Sequence, residues 1–171
     1  VNNYQLTNMD FMNAKINGGM QWDNMIVSYC DTININADKI NVDFTLPNSA
    51  SENLTNSLAA VTISGANLDA KVADMIVANL NDYNISAQVS NILDENTPMS
   101  VYADYAFSRI DASMDDMKVF TNNPKGSVAM FMKENNVDAS YIAVYSGDSL
   151  SFKMGDEMSF ETEKLDFNVS A

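Results

Sequence analysis

Two pairs of adjacent carboxylates, Asp115-Asp116 and Asp156-Glu157, come nearest to catalytic chemistry in type and spacing. Glycoside hydrolysis uses two such groups, one to protonate the leaving oxygen and one to attack or to activate water. Neighbouring residues of a strand face opposite sides, so neither pair is set to share a site, and a solvated turn accounts for both. The chain has no histidine and so lacks the usual general base, triad member and zinc ligand. Its single cysteine ends the run Met25-Ile-Val-Ser-Tyr-Cys30 and reads as a buried, inert thiol at the end of a packed strand. No P-loop, dinucleotide fingerprint or HExxH motif is present. The expectation is a protein that is not an enzyme.

Calcium is the ion that suits the many Asp and Asn oxygens. With no twelve-residue Asp-x-Asp-x-Asp-Gly loop, a site would have to be assembled from separate turns, such as Asp94-Glu95-Asn96 with Asp115-Asp116. Otherwise no cofactor is expected. Nine basic residues against 23 acidic ones give a formal charge of −14. That field repels nucleic-acid phosphates and anionic lipid headgroups, so no nucleic-acid partner is expected. No stretch approaches the length of a spanning helix, and Val1 reads as the start of a processed chain.

The elements that must position any site are strands. In Thr32-Ile-Asn-Ile-Asn-Ala-Asp-Lys-Ile-Asn-Val-Asp-Phe-Thr-Leu46 the apolar residues fall at Ile33 and Ile35, then change phase to Ile40, Val42, Phe44 and Leu46. Strict alternation on both sides of one break predicts a strand, a kink and a strand. Asn36-Ala37-Asp38 sits at the break, and similar units recur at Asn13-Ala14, Asp69-Ala70, Asp111-Ala112 and Asp138-Ala139. Their unequal spacing argues for a meander bending at one level rather than for a fixed-period β-helix. Asp or Asn at a bulge bonds its own backbone and tolerates unusual dihedrals.

Elsewhere, Gly18-Gly19 predicts a tight turn between two short strands. Asn79 with Asn81-Asp82, Thr121 to Gly126 and Glu134 to Asn136 carry further turn chemistry. After the polar break at Pro47 to Asn53, the spacing of Leu54, Leu58, Ala59 and Val61 with Ser51 as cap predicts one short helix over Ser51 to Ala60. Ala70 to Leu80 reads as strand despite partly helical spacing. Residues 1–171 are thus expected to form a single all-β domain of roughly twelve mostly antiparallel strands. The architecture is a meander closed as a jellyroll or sandwich, or left as an open folded-over sheet. A chain of 171 residues is expected to bury roughly two thirds of its unfolded surface, with Phe44, Phe107, Phe152, Phe160 and Phe167 in the core.

The stretch Thr32-Ile-Asn-Ile-Asn-Ala-Asp-Lys-Ile-Asn-Val42 resembles the strand motif of the OstA-like family, the periplasmic β-jellyroll proteins of the lipopolysaccharide-transport bridge. The Asp-Ala units after it follow the motif more loosely. Similar strands with an Ala-Asp turn occur in bactofilin-like β-helices and in the β-groove lipid-transfer proteins of the AsmA-like group. The OstA-like resemblance implies an open sheet whose interior holds acyl chains and whose end strands pair with the next subunit. Ile40, Val42 and Phe44 would then line the interior. The twelve methionines fit the same picture, since flexible thioethers fill irregular cores and also line surfaces that accept varied apolar ligands. Two non-enzymatic roles are therefore expected. One is a lipid-handling scaffold of the cell envelope (periplasmic) or exterior; the other is a structural module of a surface layer, fibre or virion. Either would associate with itself or a partner through strand edges.

Overall fold

A computed structural model describes residues 3–10, 15–30, 32–47, 57–73, 75–94, 96–132 and 139–171. These form eleven strands: β1 (Asn3–Asp10), β2 (Lys15–Tyr29), β3 (Ile33–Pro47), β4 (Leu58–Val72), β5 (Ile76–Ser90), β6 (Ser100–Ala106), β7 (Arg109–Met114), β8 (Met117–Asn122), β9 (Lys125–Met132), β10 (Ala139–Met154) and β11 (Met158–Ser170). All belong to one sheet, every pairing is antiparallel, and the described residues contain no helix. β6 and β7 lie end to end along one edge of β5. β8 and β9 likewise share one edge of β10. With these pairs read as single broken strands, the sheet is a simple meander of nine positions in chain order.

The meander contains four copies of one hairpin: β2 with β3, β4 with β5, β6–β7 with β8–β9, and β10 with β11. Residues with positive φ mark the four turns at 30, 73, 115 and 155, and four mid-strand kinks at 39, 82, 123 and 164. The steps are 43, 42 and 40 residues for the turns, and 43, 41 and 41 for the kinks. A near-constant period is thus present, although the Asp-Ala units had suggested otherwise. The repeat is set by left-handed residues of varied type, Cys30, Ala73, Asp115 and Gly155 at the turns and Lys39, Asp82, Asn123 and Lys164 at the kinks. The same backbone bond links successive turns: Asp115 N–H donates to the Met75 carbonyl at 3.0 Å, and Gly155 N–H to that of Asp116 at 3.0 Å.

The kink explains the phase change. Apolar positions alternate along each strand, advance by three at the kink and resume, as from Ala37 to Ile40 and Leu80 to Tyr83. One extra residue at a bulge returns the alternation to the same side of the sheet. Ala37 and Ile40 are accordingly both buried, at 3% and 6% exposure. Across another kink, the Tyr145 hydroxyl lies 3.4 Å from that of Thr121. The residues displaced to the other face bond to one another: Asn81 Nδ2 to Asn67 Oδ1 at 2.8 Å, Ser108 Oγ to Asp82 Oδ2 at 3.0 Å, and Asn123 Nδ2 to Asp148 Oδ2 at 2.7 Å.

Several expectations are corrected here. Gly18-Gly19 is not a turn but lies inside β2, because Phe44 of β3 packs where a Gly18 side chain would be. Asn81-Asp82 and Asn123-Pro124 carry turn chemistry yet only kink the chain, which continues in the same direction. Leu58, Ala59 and Ala60 start β4 rather than end a helix; residues 51–56 of that predicted helix lie outside the described residues, as do Glu134 to Asn136 and Asp138. Ala70 to Val72 and Ile76 to Leu80 are strand, as expected, but the second hairpin turn, with left-handed Ala73, divides them.

The expected core is absent. The chain exposes 11229 Å², against about 8,300 Å² for a compact globular protein of its mass. Apart from Pro124, the buried apolar side chains among the described residues are Ala37, Ile40 and Tyr83. None of the five phenylalanines expected in the core is buried, and Phe160 and Phe167 are about half exposed, at 51% and 50%. A single layer has no second sheet to cover them.

Candidate functional site

The face shared by the apolar positions is the largest feature of the molecule. In the half of each strand next to the connectors, register runs Phe44, Val61, Ala87, Ala103, Val128, Ala143, Val169 from strand to strand. In the half next to the turns it runs Val27, Ile35, Ala70, Ala78, Ala112, Val119, Phe152, Phe160. Both rows are wholly apolar. Strands of this length across nine positions make a face of roughly 50 Å by 40 Å, on the order of 2,000 Å². The largest apolar patch on an ordinary soluble monomer is about 300–600 Å². The opposite face carries mainly Asn, Asp, Ser, Thr, Lys and Glu, interrupted by the exposed Ile26, Tyr102, Phe131, Ile142 and Val144.

Ile40, Val42 and Phe44 take their places on this face in β3. Ile40 pairs with Trp22, Val42 with Met20 and Ile63, and Phe44 with Gly18 and Val61. Ile40 is buried, while Val42 and Phe44 are half-buried. Sequence reading picked three positions of a surface that continues across seven more strand positions.

Two tyrosines line the face beside the kinks. Tyr83 is 3% exposed, and its hydroxyl finds no partner among the described residues. Burial raises its pKa above the ordinary value, and the Asp38 carboxylate pushes it in the same direction. Burial also raises the pKa of Tyr105, with Tyr145 adding to it. Both phenols therefore stay neutral over the ordinary range of pH.

The polar candidates are dispersed. Asp115, Asp116, Asp156 and Glu157 sit on adjacent hairpin turns, all exposed to solvent. Asp94 lies at the other end of the strands, beyond the end of β5 opposite Met75. The two turns considered for calcium are therefore roughly 50 Å apart, and the strands between them rule out that assembly. Asp94 instead organises its own connector: the Thr97 hydroxyl and the Asn96 N–H, the latter at 2.9 Å, hold its carboxyl below the usual range. No group of three or more Cys, Asp or Glu placed to hold a metal occurs among the described residues. Cys30 is exposed rather than buried, because it is the left-handed residue of the first turn, with φ 46°. Among the described residues no helix is long and apolar enough to cross a membrane.

What sequence reading missed is the completeness of the face. The signal was present in the skip of three residues that every long strand shows at its kink, but its meaning depends on register between strands. Comparison with protein-family models, with curated proteins and with solved structures finds no match to this chain.

Proposed function

We propose that this chain is a non-enzymatic β-scaffold of the cell envelope or exterior that holds lipid acyl chains against its apolar sheet face. The observation that carries the reading is the apolar register that runs from β2 to β11, interrupted by Thr121 and Thr162 in one row, with Val61, Ile85, Val128 and Phe167 each 38–50% exposed. At about 25 cal/mol per Å², covering even half of such a face is strongly favourable. Acyl chains suit it because it is broad and unspecialised, and its hydrogen-bonding groups are few: the phenols, the Trp22 indole and the hydroxyls of Thr121 and Thr162. The resemblance of Thr32 to Val42 to OstA-like strands points the same way. Native mass spectrometry of the chain purified without detergent tests it. Mass increments matching acyl lipids support the reading, and protein that stays ligand-free when offered phospholipid contradicts it.

A second reading, a structural module that assembles through strand edges, is favoured by the margins of the sheet. No described strand pairs with the outer edge of β11, and β1 covers β2 only from Lys15 to Gln21. Such open edges are templates for a further strand.

A further inference from the structure

The apolar row nearest the hairpin turns differs between the two halves of the molecule. In the first two hairpins its members are Tyr29, Ile33, Val72 and Ile76. In the last two they are Met114, Met117, Met154 and Met158, each directly opposite the next. The repeat thus supplies its own control: the fold needs an apolar residue at these positions and accepts the β-branched and aromatic types that strands favour. A thioether at four successive positions adds nothing to strand formation. It does add a line of four soft donors on adjacent strands, with Cβ atoms about 5 Å apart. Each sulfur sits on an unbranched, freely rotating arm, so neighbouring sulfurs can converge. Met114, Met154 and Met158 are 43%, 44% and 45% exposed, open to an incoming ion.

Thioether sulfur is a neutral, soft ligand that selects Cu(I) over harder cations. The surroundings favour a cation as well. Asp115, Asp116, Asp156 and Glu157 stand exposed on the two turns just beyond the row, and the Gly155 N–H to Asp116 carbonyl bond holds those turns side by side. Their combined field raises the local concentration of positive ions. Lys118 and Lys153 project from the opposite face, and Lys153 is ion-paired with Asp156 at 3.4 Å.

We propose that Met114, Met117, Met154 and Met158 form a binding site for a soft monovalent cation, Cu(I) or its analogue Ag(I), held by three adjacent thioethers at a time. The site stands independently of the lipid reading, since its ligands serve an apolar rim equally well when empty. Thioethers have no proton to lose, so uptake is independent of pH between about 5 and 8, unlike that of thiolate sites, whose ligands must first be deprotonated.

The test uses the full chain carrying Cys30→Ser, which removes the competing thiol at the first turn. Cu(I), kept reduced by ascorbate, is offered from a chromophoric chelator. The protein is expected to withdraw one equivalent, the M117L/M154L variant to lose that uptake, and the M130L/M132L variant, altered in β9 at the connector end of the strands, to keep it. A second measurement needs no change in the row: with methionine methyl groups labelled, Ag(I) is expected to shift the signals of the four row methionines and leave the other eight in place. Absence of uptake, full uptake by M117L/M154L, or shifts centred on methionines outside the row would each overturn the proposal.

Discussion

Tyr83 of β5 lies over Gly65, its direct partner on β4, so that any side chain at residue 65 would occupy the space of the Tyr83 ring and hydroxyl. Phe44 covers Gly18 in the same way one hairpin earlier. In a single-layer sheet these aromatic lids supply much of what little burial there is, and Tyr83 stands beside a kink.

Gly65→Ala is therefore expected to destabilise the chain by about 1–3 kcal/mol through overpacking, read as a lower urea midpoint. Tyr83→Phe is expected to do the opposite. It removes a buried hydroxyl that has no partner, and equal or greater stability, by up to about 1 kcal/mol, should follow. A Tyr83→Phe variant clearly less stable than the parent would show that the hydroxyl is bonded after all.

The same phenols give the stability a pH dependence. Tyr83 and Tyr105 both have folded pKa values raised above the unfolded value, chiefly by burial. Their contribution is complete below about pH 10 and is lost as pH rises through the folded values. Denaturation midpoints are expected to hold steady to about pH 10 and then fall, with a shallower fall in Y83F/Y105F. Identical alkaline profiles for parent and double variant would contradict this assignment.

Lys39 and Lys164 hold left-handed conformations, with φ 52° and 66°. That conformation costs a residue with a Cβ about 1–2 kcal/mol, while glycine loses roughly 0.5–1 kcal/mol of chain entropy. Lys39→Gly and Lys164→Gly are thus each expected to stabilise the chain slightly, whereas glycine at an ordinary strand position such as Thr62 should destabilise it. Thermal melts of the three variants decide the point.

Much of the fold was legible because alternation is a local signal. Ile40, Val42, Phe44 and Leu46 announce a strand whatever lies beside them. The kinks were misread for a physical reason: Asn81-Asp82 and Asn123-Pro124 have residues that tolerate positive φ, and the same dihedrals serve a chain reversal and a bulge. Only the partner strand tells the two apart. Burial was illegible for a similar reason. The spacing of Phe152, Phe160 and Phe167 says that one face is apolar, and nothing in it says whether a second layer covers that face. The candidate face was therefore seen only as three residues in β3, and the methionine row not at all, because aligning Met114 with Tyr29 requires knowing the hairpin register.

The open outer edge of β11 is expected to drive association. The strand runs thirteen residues with no proline or glycine, and the −14 charge opposes contact until it is screened. Sedimentation velocity should show oligomers growing with protein concentration and with salt, and Phe160→Lys with Phe167→Lys should suppress them. A monomer that persists at high concentration in about 0.5 M salt, where the screening length is only a few ångströms, would count against edge pairing.

The central claim is that acyl chains lie on the apolar face, and labelling with a photoactivatable fatty acid tests it most directly. After irradiation and proteolysis, adducts are expected on apolar-face residues such as Val61, Ile63, Val128 and Phe167, and not on their neighbours Thr62, Ser127 and Asp166 on the other side. Equal labelling of both faces, or none on the apolar one, would contradict the account.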